Sequence, residues 1–311
     1  FDIPYPMSSG YDVGGTTLLA LAVKGKKIPI FTNDDMKQVI KELKTSGKVD
    51  DDLRSSLGAK ANLFVAQYYI SMLQKSEKGG DGWVGTPLMK LLAGENPYQV
   101  PCHLYGFAES EDTLAPSRFN QVSGALPCFT NLVDLDNIIH TLCLACEAFH
   151  KRFDETPYLA LAAKHGNACG FGADWDNPAV ALEKALFGNP TAIWGGEFVC
   201  NFPITGNLAK FLYESKTRKK TIGSGRWMLD LVAAPSFSPE ATEILGRRKD
   251  RKLMACESLA EPKVSNSTFS FRPIRGGFLR QPPANYILDF KESELSGSDF
   301  TEQKLGSLIL A

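Results

Sequence analysis

Between residues 155 and 250 the chain repeats one pattern three times: a short apolar run, a polar turn rich in glycine or proline, then a stretch with helical periodicity. The first block runs from Tyr158–Ala163 through KHGNACGFG to a helix expected from roughly Pro178 to Phe187; the second is NPTAIWGGEFVCNFPI. The third is RWMLDLVAAPSFSPEATEIL, where Ser238 and Pro239 have the character of a helix cap and first helical residue. Apolar runs of this length without alternation fit strands buried on both faces, so the pattern restricts the chain to an α/β architecture. In open α/β sheets ligands collect beyond the carboxyl ends of strands, which singles out the segment Lys164–Gly170 as a candidate ligand loop.

Around these blocks, residues 1 to about 75 read as a shorter α/β piece, with an apolar run at Thr16–Val23, a strand at Ile28–Phe31, and helices at Asp34–Leu43 and Leu53–Leu73. The glycine-rich, charged stretch KSEKGGDGWVGTP interrupts every periodicity, so a boundary is placed there, with domains at 1–80 and 81–311. An amphipathic helix is expected over Leu132–Phe153, with Asp134 or Asp136 in its acidic first turn.

A length of 311 residues with 43% hydrophobic content suffices for one large or two medium cores. Acidic and basic residues number 35 and 34, so no net field steers nucleic acid or an anionic membrane toward the chain. No apolar run approaches the length of a membrane span, and a soluble, cytoplasmic protein is expected. The seven cysteines are scattered, as suits reduced thiols; Cys143 and Cys146 form a C-x-x-C pair without a second pair or an H-x-x-x-H to complete a zinc site.

Lys164 and His165 stand side by side at the end of the first strand, followed by Gly166, Asn167 and Gly170. A lone loop histidine is usually a surface residue, but here glycines permit close backbone approach and Asn167 supplies a neutral donor and acceptor. The run KTRKK at Lys216–Lys220 attracts phosphate or a glutamate tail in one reading and is a solvated loop in the other. Trp83, Trp175, Trp194 and Trp227 stand near polar loops, where stacking on a ligand competes with core anchoring.

The segment KHGNACG after a strand resembles the K-H-x-N-P-C-G segment of the aminoimidazole carboxamide ribonucleotide transformylases. LLAGENPYQVPCHLY resembles that family's L-R-Y-G-E-N-P-H-Q segment, and GALPCFTNLVDLDNIIH resembles its loop ending before a helix. NPTAIWGGEFVCN is similar to D-P-x-S-x-F-G-G, DLVAAPSFSPEATEIL to I-I-A-P-x-x-x-x-E-A, and FRPIRGGFLRQ to the G-G-L-L-V-Q strand. Upstream, YDVGGTTLLALAVKGKK is similar to a segment of the IMP cyclohydrolase domain, the family's other half, with Asp12 and Lys24 at its motif positions.

The resemblance implies a cytidine-deaminase-like, three-layer α/β transformylase subdomain preceded by a partial methylglyoxal-synthase-like, Rossmann-like piece. It also implies formyl transfer from 10-formyltetrahydrofolate, as co-substrate, to the 5-amino group of aminoimidazole carboxamide ribonucleotide, with no metal. In that scheme His165 shuttles a proton between the attacking amine and the folate nitrogen, and Lys164 assists it. An aromatic amine is a poor nucleophile, so its deprotonation must accompany attack on the formyl carbon, and an adjacent ammonium can stabilise the oxyanion. Asn131, Gly195, Asp230, Gly94, Asn96 and Asn167 fall at positions expected to line the nucleotide site. The plain alternatives are that Asn131 caps a helix and that Asp230 ends a strand.

Leu92 and Ala93 stand where the family carries Arg-Tyr, and leucine cannot replace an arginine that grips phosphate in a bidentate pair. Tyr98 and Ala168 replace the motif histidine and proline. A cut or shortened relative is expected, lacking the first half of the cyclohydrolase domain and the second transformylase subdomain. Cyclohydrolase activity is therefore not expected, and Asp12 and Lys24 are read as fold residues. Two further readings are a diverged relative acting on another amine or nucleoside, and a catalytically silent homologue. A zinc deaminase is disfavoured because the H-x-E and P-C-x-x-C signature is missing. Homodimerisation, with sites assembled across the interface, follows from the resemblance alone.

Overall fold

The computed structural model describes residues 13–75, 79–107, 110–265, 270–287 and 301. The chain divides into two compact units. The first runs to Pro87 with a short excursion beginning at Tyr105, and the second is formed by Leu88–Leu104 and the remainder of the chain.

In the first unit three helices follow one another: α1 (Gly14–Lys24), α2 (Asn33–Ser46) and α3 (Asp51–Lys75). Thr32 and Asp35 cap α2 reciprocally, each side chain taking the other's backbone N–H at 3.2 and 3.1 Å. The buried Asp35 carboxylate is also paired with Lys60 at 2.6 Å, which ties α2 to α3. The strand expected at Ile28–Phe31 does not form. Ile28 packs on the small core of Val39, Val49 and Leu57, and the Phe31 ring lies 5.0 Å from that of Phe64. An extended segment without a partner strand has its apolar side chains taken up by helices instead. Among the described residues the N-terminal piece is therefore helical, and the Rossmann-like organisation expected of it is not found there.

Strands β1 (Thr86–Lys90) and β2 (His103–Gly106) make a two-stranded sheet. The second unit then supplies β3 (Asn120–Ser123), α4 (Phe129–Phe153), β4 (Tyr158–Lys164), β5 (Asn167–Asp174), α5 (Pro178–Gly188) and β6 (Glu197–Cys200). It continues with α6 (Gly206–Tyr213), α7 (Lys216–Ile222), β7 (Leu231–Ala234), α8 (Pro239–Leu245) and β8 (Lys252–Ala255). Finally β9 (Ser270–Ile274) and β10 (Gly277–Gln281) form a separate antiparallel hairpin over the FRPIRGGFLRQ segment.

The central sheet has six strands in the order β3-β8-β7-β6-β4-β5. Strands β6, β7 and β8 are mutually parallel, whereas β4 runs against β6, β5 against β4, and β3 against β8. Alternation along the strands splits the core in two. Leu159, Leu161, Ala163, Val199, Leu231 and Ala233 join one cluster with Leu135, Ile138, Leu142 and Phe149 of α4. Ala160, Ala162, Phe198, Cys200, Val232 and Ala234 face the other way, against α5, α6 and α8. The sheet is thus covered on both faces, which accounts for the unbroken apolar runs of β4, β6 and β7.

The segment Lys164–Gly170, expected to be a loop, turns only at His165 and Gly166. From Asn167 onward it is strand β5, and its glycines serve packing: a Cβ on Gly170 would lie 1.8 Å from the Ala185 carbonyl oxygen, and one on Gly172 1.8 Å from that of Ala181. Helix α5 therefore rests directly on the β5 backbone, an approach only glycine allows. KTRKK likewise is not a loop but α7, capped by Ser215. Arg218 in its middle is buried over Trp227, 4.8 Å from the ring centroid, with Phe187 edge-on at 5.3 Å. Of the four tryptophans Trp227 alone is a core anchor, while Trp83, Trp175 and Trp194 are exposed. No described helix is long and apolar enough to cross a membrane.

Gly172→Ala is expected to lower stability by about 1–3 kcal/mol, because α5 must move off the strand. Leu182→Ala, at a fully buried α5 position, is expected to cost about 2–5 kcal/mol by leaving a cavity. Urea unfolding followed by circular dichroism measures both.

Candidate functional site

Strands β4 and β5 are joined through His165 and Gly166 alone, with Lys164 paired to Asn167. Both linking residues have positive φ, 53° and 70°, the backbone signature of a two-residue hairpin turn matched to sheet twist. Glycine adopts this without cost, whereas histidine does so uncommonly and only when its surroundings impose it. Helix α4 supplies those surroundings. Asp134 Oδ2 accepts the His165 backbone N–H at 3.0 Å, and Asn137 presses on Gly166 so closely that a Cβ there would meet its Nδ2 at 2.6 Å. Asn167 Nδ2 donates to the His165 carbonyl at 2.8 Å, closing the turn from the other side. The imidazole itself stands exposed at the tip.

Register then decides what lies beside this tip. Because β4 is antiparallel to β6, Ala163 pairs with Glu197, and the end of β4 meets the beginning of β6. Glu197 in turn pairs with Leu231, and Leu231 with Lys252, so β7 and β8 also begin here. The site thus lies beyond the carboxyl end of β4 but the amino ends of β6, β7 and β8. The rule that ligands collect beyond carboxyl ends thus applies here to β4 alone, because β4 runs against β6.

Gly195, two residues before β6, takes φ 70° and donates its N–H to the Met228 carbonyl at 2.6 Å. A Cβ on Gly195 would approach Lys164 Nζ to 3.6 Å and Asp230 Oδ2 to 3.8 Å, so this glycine sits between an ammonium and a carboxylate. The Lys164 ammonium donates to the Trp194 carbonyl. Asp230, immediately before β7, is bonded to Arg248 at 2.7 Å, and Arg248 also holds Asp250 at 2.9 Å. Hydrogen bonding to Asp250 first, and then the neighbouring carboxylate charges, hold the Arg248 guanidinium above its ordinary range. Asp230 is therefore both the residue that precedes a strand and a charged wall of the Lys164–Gly195 corner.

On the α4 side of the sheet, Asn131 has the helix-capping role considered for it and a second bond to a buried acid. Its Oδ1 accepts the Cys128 N–H at 3.1 Å as the third residue of α4, and its Nδ2 donates to Glu197 Oε1 at 2.9 Å. Glu197 is 2% exposed, and burial, opposed by the Asn131 hydrogen bond and reinforced by Asp134 and Asp230, pushes its carboxyl up to about 9. Sequence reasoning passed over Glu197. Its one signal was a charged residue inside an apolar strand, in WGGEFVCN, where both faces of the sheet are covered. Asp134 was noticed only as a first-turn acid, and Asn137 and Arg248 not at all.

Gly94 and Asn96 lie on a tight loop. The Gly94 N–H donates to the Gln99 carbonyl at 2.9 Å, and Gln99 Oε1 accepts from the Asn96 N–H at 2.6 Å and from its Nδ2 at 3.2 Å. This loop is stitched to the start of α4, since Leu92 N–H donates to Pro127 O at 2.9 Å and Phe129 N–H to Ala93 O at 3.0 Å. It is thereby held against the first turn of the helix that carries Asn131. Leu92, in place of a phosphate-gripping arginine, is 58% exposed, so an apolar side chain faces outward there. Lys24 ends α1 in the first unit, and Asp12 lies outside the described residues. Cys143 and Cys146 are buried in the α4 core, where burial pushes both thiols up to about 12 and keeps them from acting as thiolates. Among the described residues no group of histidine, cysteine and acidic side chains is placed to hold a metal ion.

The bifunctional purine biosynthesis protein PurH of Oceanobacillus iheyensis is 27% identical over 312 residues, which is 96% of this chain and 55% of that protein. PurH of Caldicellulosiruptor saccharolyticus is 28% identical over 311 residues, with the same coverage of 96% and 55%. The chain spans about half the length of the curated relatives it matches. Among solved structures, the dCMP deaminase of cyanophage S-TIM5 in apo form aligns with 37% of this chain and 94% of its own at 14% identity, with a TM-score of 0.25, too low to bear on the fold. The sequence model of the AICARFT/IMPCHase bienzyme family matches residues 26–311. On that match, which takes in almost the whole chain, the protein belongs to the AICARFT/IMPCHase bienzyme family.

Proposed function

We propose that this chain carries the amine-binding and proton-transferring part of a formyltransferase, moving a formyl group from 10-formyltetrahydrofolate to the 5-amino group of an aminoimidazole carboxamide ribonucleotide. The observation that carries this reading is the Lys164–His165 pair, set on a positive-φ turn that Asp134 and Asn167 hold from both sides. Family membership and the neighbouring Gly195–Asp230 corner support it. A cytidine-deaminase type of fold, a homodimer and a cytoplasmic location belong to the same proposal, with the mixed sheet covered by helices on both faces supporting the first.

In this scheme the exposed His165 imidazole takes a proton from the amine as its nitrogen bonds to the formyl carbon. It then returns the proton to the folate nitrogen as the carbon–nitrogen bond to the carrier breaks. Lys164 stands at the end of the adjoining strand, where its ammonium can offset the charge that builds on the formyl oxygen in the tetrahedral intermediate. Asp230 is suited to hydrogen bonding with the amine and carboxamide of the substrate.

His165→Ala is expected to lower formyl transfer by roughly 10²–10⁴-fold with nucleotide binding little changed. A variant as fast as the parent in a folate-release assay removes the assignment. A second reading, favoured by Leu92, is that the amine substrate lacks a phosphate. Calorimetry with nucleoside and nucleotide side by side separates the two. If the phosphate is not gripped, the affinities agree within about threefold, whereas a bidentate grip favours the nucleotide by a factor of ten or more.

A further inference from the structure

We propose that Glu197 is a positioning residue acting as a carboxylic acid: its O–H donates to the Asp134 carboxylate, whose Oδ2 holds the His165 N–H, while its Oε1 holds the Asn131 amide. One buried acid thereby fixes both the histidine turn and the asparagine of the proposed nucleotide site. Its functional side rests on the formyl-transfer reading; its chemical side does not.

Hydrogen-bond direction carries the inference. The Asn131 amide cannot be turned around, because its Oδ1 accepts from Cys128 N–H at 3.1 Å and from Cys128 Sγ at 3.1 Å. Its NH₂ must therefore face Glu197, which makes Oε1 an acceptor. Glu197 Oε2 is buried and has no donor facing it. The side chain within hydrogen-bonding reach is the Asp134 carboxylate, itself an acceptor toward His165 and only 7% exposed. Two carboxylates in contact and out of water repel, and one proton between them turns that repulsion into a hydrogen bond.

Among the described residues no ion pair to Glu197 forms: Asp230 approaches from the start of β7 and Cys169 from β5, Lys252 stands two strands away in register, and the Lys164 ammonium donates to the Trp194 carbonyl. Burial first, and then the acids Asp134 and Asp230, favour the neutral form against the pull of the Asn131 amide, which agrees with the geometry. The proton belongs on Glu197 rather than on Asp134, because Asp134 receives a backbone N–H and Glu197 has the more deeply buried carboxyl.

Comparison of the parent protein with Glu197→Gln tests the chemistry without any assay of activity. Glutamine keeps an acceptor for Asn131 and offers an N–H to Asp134, but it does not titrate. A group whose proton is bound more tightly in the folded state contributes stability that is complete below its unfolded value and lost as pH rises to its folded one. The melting temperature of the parent is therefore expected to fall relative to Glu197→Gln between pH 4.5 and about 9, and then to run parallel. A pH-independent difference overturns the proposal.

Hydrogen exchange at the His165 amide reads the positioning. Glu197→Gln is expected to match the parent, while Glu197→Leu, which leaves Asn131 and Asp134 without this partner, exchanges faster; equal protection in all three overturns it. Where formyl transfer is measured, Glu197→Gln is expected within about threefold of the parent at neutral pH but without its fall near pH 9. Absence of formyl transfer in the parent defeats the enzymatic reading alone, because melting and exchange still decide the role of Glu197.

Discussion

Pairing of β4 with β6 in opposite directions is the constraint on which the rest of the second unit depends. Strands β6, β7 and β8 rise together, each preceded by a loop at the same edge, and a parallel neighbour would have carried its own end to the far edge. Because β4 runs the other way, its terminal Lys164 arrives among the approaches to β6 and β7. Residues 30 positions apart in the chain, Lys164 and Trp194, become neighbours for this reason, and the packing of α4 on the sheet does the same for Asn131 and Glu197. The helices add direction: α4 covers one face and brings Asp134 and Asn137 under the hairpin tip.

A second layer of backbone contacts stiffens this edge. Arg251, buried almost completely, donates to the carbonyls of Trp227 and Leu229 at 2.8 and 3.0 Å, and Arg248 adds a bond to Leu229 at 3.3 Å before reaching Asp230. The burial that surrounds the Arg251 guanidinium lowers it to about 10, still well above neutrality, so the charge persists. An irregular segment with few backbone partners of its own is thus held by side chains, and Met228 within it receives the Gly195 N–H. Placement of Asp230 follows from that framework.

How much of this the sequence disclosed follows from how local each feature is. Helices α4, α5 and α8 and strand β4 are written in their own periodicity and caps, Ser238 and Pro239 among them, and they formed within a few residues of the expected bounds. Strand β5 was misread because its glycines resemble a ligand loop, whereas they answer to a helix that follows them in the chain. The strand expected at Ile28–Phe31 failed for the opposite reason: its residues have strand character, but nothing stands beside them to pair. Lys164, His165, Asn131, Gly195 and Asp230 were singled out by type and motif resemblance; Lys164, Gly195 and Asp230 meet at one corner, while Asn131 lies on the α4 side, bonded to Glu197. Glu197 and Asp134 escaped because their significance lies in partners 66 and 31 residues distant.

Helix α5 lying bare against β5 has a mechanical consequence. At Gly170 and Gly172 main chain meets main chain, and Lys184 of α5 closes the far end of the contact on Ala173 and Asp174. The strand that leaves the histidine turn is therefore backed along its length by a helix, so any larger residue at either glycine would be felt by the turn as well as by the core.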